Sequence, residues 1–168
     1  MNSWIRYCLA IVVFFPGVLR AQSDSGQIFR ATYASIETHI KDLPLGKYGV
    51  ITDDPNHRVV TGEALPENTS ILNTSFAESL SLPFGSMDEI FLCPDYPTMR
   101  GCALKGDITH AVSFLLESEK GGRASVLVVL HWEQNIARIP IASRGYRATL
   151  EEVEGTWVVS AFEGLWVS

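Results

Sequence analysis

Polar and apolar residues alternate with a period of two through the last sixty or so positions, the pattern of β-strands carrying one half-buried face. It predicts four strands, over about Asp107–Ser118, Arg123–Glu133, Ile141–Val153 and Thr156–Val167. Glu119-Lys120-Gly121-Gly122 is a hairpin link, Gln134–Pro140 a seven-residue connection, and Glu154-Gly155 a tight turn. These strands exceed the usual length of about 5–6 residues, and long strands twist, so a strongly curved antiparallel meander is expected. The second strand is apolar on both sides (Val126, Val128 and Leu130; Leu127 and Val129), which makes it central and covered on both faces.

Register follows from the loops. With Glu119–Gly122 as the loop, His110 faces His131; with a two-residue turn at Gly121-Gly122, His110 faces Glu133. Either register puts His110, His131 and Glu133 on one face, beside Val112, Phe114, Leu127 and Val129. The Glu154-Gly155 turn pairs Leu150 with Val159, Ala148 with Ala161 and Tyr146 with Glu163, with Trp157 on the same side.

Upstream, Ile28, Ala31, Ile36 and Ile40 recur at helical spacing, predicting a helix over Gln27–Leu43 with Ser25 as N-cap and Pro44 as stop. Lys47–Thr52 reads as a short strand, Asp53-Asp54-Pro55-Asn56 as a turn without calcium-loop spacing, and His57–Gly62 as a strand or extended loop. A weakly amphipathic helix fits Ser70–Leu80, and Met87–Cys93 a strand or helix turn. Asn68-Thr69-Ser70 and Asn73-Thr74-Ser75 both match the N-glycosylation acceptor pattern. The fold class expected is α+β: an N-terminal helix packed on a curved antiparallel sheet, cone-like.

Charge and cysteines set the compartment. Met1–Ala21 has the arrangement of a cleaved secretory signal peptide: Arg6, the apolar run Leu9–Phe15, the break Pro16-Gly17 and a small residue at Ala21. The remaining 22–168 form one domain, secreted or periplasmic. The whole chain carries 13 basic and 19 acidic residues; removing Arg6 and Arg20 leaves 11 against 19, a charge of −8. Such acidity excludes nucleic acid as a partner and leaves no basic patch for an anionic membrane. Cys93 and Cys102 remain, and an exported C-x8-C pair around Pro94, Pro97 and Gly101 reads as a disulfide ahead of a redox pair or metal site.

The helix, the strands from Asp107 on, and the phrase Leu150-Glu151-Glu152-Val153-Glu154-Gly155-Thr156-Trp157-Val158-Val159 together resemble the nuclear transport factor 2-like cone superfamily. That superfamily includes ketosteroid isomerase-like and scytalone dehydratase-like enzymes beside non-catalytic members. The resemblance implies a cone with an interior pocket and dimerisation through the open sheet face. It carries over no catalytic motif.

One end of the expected meander collects Asp107, His110, His131, Trp132, Glu133, Tyr146 and Glu163. His110, His131, Glu133 and Tyr146 are therefore the ligand-pocket candidates. A histidine beside a carboxylate on an apolar wall suits proton transfer, and two imidazoles with a carboxylate suit a metal, yet strand-end polar residues commonly just meet water. No metal or cofactor is expected. There is no G-x-S-x-G, G-x-x-x-x-G-K or H-E-x-x-H, and Ser143-Arg144-Gly145-Tyr146 reads as turn-to-strand rather than a nucleophile site. The function expected is a non-catalytic domain binding a small apolar ligand or a partner chain. The alternatives are a lyase, isomerase or hydrolase using His110, His131 or Glu133, and a structural or homodimerising module.

Overall fold

The computed structural model describes residues 16–40, 46–54, 66, 68–92, 102–133 and 141–167. The chain is mixed α+β, with a large, mainly antiparallel sheet and few helices. Helix α1 (Pro16–His39) is followed by β1 (Tyr48–Ile51), α2 (Thr69–Leu80), β2 (Phe84–Gly85) and the single turn α3 (Met87–Ile90). Then come β3 (Phe91–Leu92), β4 (Ala103–Leu104), β5 (His110–Lys120), β6 (Arg123–Glu133), β7 (Ile141–Val153) and β8 (Thr156–Val167). Six strands lie in the order β2-β1-β5-β6-β7-β8, an open sheet, while β3 and β4 form a separate antiparallel ribbon. The sheet is not wholly antiparallel as expected: β1 runs parallel to both β5 and β2. No described helix is long and apolar enough to cross a membrane.

Among the described residues α1 runs from Pro16, upstream of the expected Gln27. The helix stops at His39, short of the expected Leu43. Its apolar stripe buries Ile28, Phe29 and Ile36 against Val112, Phe114, Val126, Val128, Leu130, Ala148 and Leu150 on one face of the sheet. The Phe114 ring stacks on Phe29 at 5.3 Å and meets Phe76 of α2 edge-on at 5.1 Å. On the opposite face, Ile51 and Ala111 are covered by Met87, Ile90, Phe91, Cys102 and Leu104.

Three bulges interrupt the meander; one, at Leu165, separates the Gly145–Trp166 and Tyr146–Gly164 pairs, and the other two decide which side chains share a face. The β5–β6 turn has two residues, Gly121 (φ 61°) and Gly122 (φ 73°), the left-handed pair that such hairpins need. Lys120 therefore pairs with Arg123, but the register slips between Leu116 and Ser118, where Glu117 is the extra residue. The register expected from the two-residue turn thus holds as far as Ser118 opposite Ser125; beyond the bulge Leu116 pairs with Val126, and His110 faces Trp132 instead of Glu133 or His131. A second slip, between Thr149 and Leu150, keeps Leu150 opposite Val159 but puts Ala148 opposite Phe162 and Arg147 opposite Glu163. Phe162, not Ala161, consequently packs against the helix-side core.

Asn73 ties α2 to the sheet. The last β1–β5 pair is Val50 with Val112. Past it, the Asn73 side chain donates to the Phe114 carbonyl (2.8 Å) and accepts from the Phe114 N–H (3.1 Å), continuing the ladder where β1 stops. Its amide also reaches the Thr69 carbonyl, and the residue is fully buried. Of the two acceptor triplets, only Asn68 is exposed.

Candidate functional site

Two polar clusters are built into the sheet, on opposite faces. On the helix side, register lines up Tyr48, His110, Trp132 and Ala142 across β1, β5, β6 and β7. The Tyr48 ring lies 5.2 Å from the His110 ring, and Tyr33 of α1 meets Tyr48 edge-on at 5.4 Å. Trp132 packs against the helix-side core, with the Arg144 guanidinium 5.4 Å above its ring.

The electrostatics here are those of a dry wall. Burial holds the His110 imidazole below its ordinary range, a pull that Glu37 partly opposes. Burial first, then the negative charge of Glu37, pushes the Tyr33 phenol up; the same two causes, followed by Tyr33, push Tyr48 up further. Both rings stay neutral hydrogen-bonding groups at physiological pH. The Thr109 hydroxyl is 2.9 Å from His110 Nδ1 and 3.3 Å from the Lys47 carbonyl, and it accepts the Lys47 N–H at 2.8 Å. The hydroxyl donates to the Lys47 carbonyl, and the same oxygen faces His110 Nδ1. Among the described residues neither His110 Nε2 nor the Tyr48 hydroxyl has a hydrogen-bond partner, although both residues are more than nine-tenths buried. Two clefts flank the Tyr33–Tyr48 pair. One of about 360 Å3 is lined by Lys47, Leu82, Asp107 and Ile108 as well as both tyrosines. The other, about 130 Å3, is lined by Tyr33, Ala34, Glu37 and Tyr48.

The opposite face holds His131. Its Nε2 lies 2.8 Å from Asp54 Oδ2, and its Nδ1 lies 2.7 Å from the Ser143 hydroxyl. The Ser113 hydroxyl donates to the same Asp54 oxygen at 2.8 Å. Asp54 and His131 are each 1% exposed, and Phe91 meets the imidazole edge-on at 5.6 Å. An ionised Asp54 can only accept, so Nε2 carries the proton between them, and in that neutral tautomer Nδ1 accepts from the Ser143 hydroxyl.

Of the expected pocket residues, His110 and Tyr146 share the helix-side face, and His131 does not. Tyr146 packs on Phe162 at 5.4 Å. The Glu117 bulge shifts β5 by one position against β6, so the two imidazoles sit on opposite sides of the sheet and form no joint pocket or metal site. The Glu133 side chain and Cys93 lie outside the described residues, as does His57–Gly62. Among the described residues no group of three His, Cys, Asp or Glu is placed to hold a metal.

Sequence reasoning passed over Tyr48, counted Tyr33 only in the helix's apolar spacing, read Asp54 only as part of a turn, and set Ser143 aside as turn-to-strand. One signal was present: Ser113 interrupts the apolar run Ala111–Leu116, and a buried hydroxyl requires a partner. No protein-family model matches the chain, and no curated protein or solved structure matches it significantly.

Proposed function

We propose that the Tyr33–Tyr48–His110 wall, between α1 and the β1–β5 side of the sheet, is a non-catalytic binding site that takes up a small, largely apolar ligand. The observation that carries this reading is the pair of unpartnered atoms, Tyr48 hydroxyl and His110 Nε2, in two residues 94% and 97% buried. An unsatisfied buried polar group costs about 1–3 kcal/mol, and a ligand carrying one acceptor or hydroxyl group recovers that cost. The aromatic rings supply the apolar contact and the flanking clefts supply room.

The reading includes a sheet curved cone-like around α1, supported by the contacts of that helix with β6, β7 and β8. It also includes export, with cleavage near Ala21, and a Cys93–Cys102 bridge. The bridge is supported by the β3–β4 ribbon, whose Leu92–Ala103 pair lies next to Cys102 in sequence. Buried Cys102 suits it as well.

Titration with the neutral fluorophore N-phenyl-1-naphthylamine tests the site. Saturable one-to-one binding is expected, weakened at least about tenfold by Tyr48→Ala and by Tyr33→Ala. Non-saturating fluorescence, or equal affinity in both variants, rules the site out.

A further inference from the structure

The network on the other face is separate from this wall and has a chemistry of its own. We propose that Ser143, His131 and Asp54 form a nucleophile–base–carboxylate array that hydrolyses short acyl esters. Three distant parts of the chain build it: the stretch after β1 supplies Asp54, β6 supplies His131 and β7 supplies Ser143. The two hydrogen bonds run in series through one imidazole, at 2.8 Å to the carboxylate and 2.7 Å to the hydroxyl. This is the relation that activates a serine: the carboxylate fixes the tautomer and the opposite nitrogen takes the hydroxyl proton. Carboxylate and serine engage the ring nitrogens in the reverse of the usual serine-hydrolase assignment. The relay needs only that one nitrogen be held protonated while the other accepts.

Solvent access is graded along the array. Asp54 and His131 are sealed, whereas Ser143 is half-buried and is the member a substrate can reach. Gly145, two positions along β7 and therefore on the same face, is covered by the Trp166 indole, whose N–H is buried without a partner. That N–H is a candidate donor for an oxyanion formed beside Ser143.

The reaction balances with water alone. Ser143 Oγ bonds to the ester carbonyl carbon while its proton passes to His131 Nδ1. The adduct collapses with cleavage of the carbon–oxygen bond to the alcohol, which leaves with that proton. Water then attacks the acyl-serine and passes its own proton to Nδ1. Cleavage of the acyl–Oγ bond returns the proton to Ser143 and releases a carboxylic acid.

The test uses the folded full chain with an alkyl fluorophosphonate, followed by intact mass and peptide mapping, and with p-nitrophenyl acetate as substrate. The result expected is one adduct per chain, on Ser143, with turnover falling roughly 10²–10⁴-fold in Ser143→Ala. Labelling should persist in Ser160→Ala, a change at an exposed serine. No adduct on the wild-type chain overturns the proposal, as does equal labelling or turnover in Ser143→Ala, and either would leave the network a purely structural tie. The wild-type labelling result stands even if a variant fails to fold.

Discussion

Replacing Asn73 by Ala removes the two hydrogen bonds that continue the ladder at Phe114 and a third to Thr69. Phe114 is fully buried, so its N–H and C=O lose their partners where water does not substitute for them. Each orphaned group costs about 1–3 kcal/mol, and partial collapse of α2 onto β5 recovers some of that, for a net loss of about 3 kcal/mol. With a urea slope of about 1–3 kcal/mol/M, the unfolding midpoint should fall by about 1–3 M. Asn73→Asp should be at least as harmful despite its identical shape. It keeps an acceptor for the Phe114 N–H but turns oxygen toward the Phe114 and Thr69 carbonyls in place of a donor. Asn68→Ala is the control, since Asn68 is exposed and its side chain makes no capping hydrogen bond; it should move stability by less than about 0.5 kcal/mol. An Asn73→Ala midpoint indistinguishable from that of Asn68→Ala would refute the reasoning.

The His110 imidazole is held below its ordinary range by burial, so the unfolded chain takes up this proton before the folded one does. Its contribution to stability is intact above the unfolded value of about 6.5 and is lost as pH falls below it. Urea midpoints between pH 7.5 and 5 should therefore decline more steeply in wild type than in His110→Gln; parallel curves would count against it. If Cys93 and Cys102 are bridged, the native chain shows no reaction of either with iodoacetamide by peptide mapping, and reduction lowers stability by about 2–3 kcal/mol. Free thiol at either position in the unreduced chain contradicts the bridge. At Gly145 an added Cβ would come within 2.2 Å of the Trp166 indole nitrogen, so Gly145→Ala should displace that ring and cost about 1–3 kcal/mol. Unchanged tryptophan fluorescence and midpoint would speak against the contact.

Period-two alternation carried the bounds of β6, β7 and β8, because long amphipathic strands leave little freedom in where they begin and end. Which residues face one another was not recoverable, since the Glu117 and Ser160 bulges are single unpaired residues in otherwise regular strands. Alternation continues on both sides of a bulge, yet every partner beyond it changes side. His110 and His131 were therefore assigned to one face that they do not share. Asp54 sat in an acidic turn whose composition is satisfied by turn chemistry alone. Its burial depends on His131, seventy-seven positions away, a separation that local pattern does not bridge. Asn73 shows the same limit. Its tripeptide is the same as the one starting at Asn68, and only the path of β5 gives the two asparagines different fates.

The parallel placement of β1 against β5 also has a consequence for the order in which the molecule comes into being. The β5–β8 hairpins close through neighbouring segments, whereas Tyr48 must find His110 across about sixty intervening residues. Loop closure of that length is slow beside hairpin formation, so the meander assembles first and the amino-terminal elements dock onto it afterwards. β1 cannot take its place until β5 stands beside it, so this edge of the sheet is completed from the carboxy-terminal side.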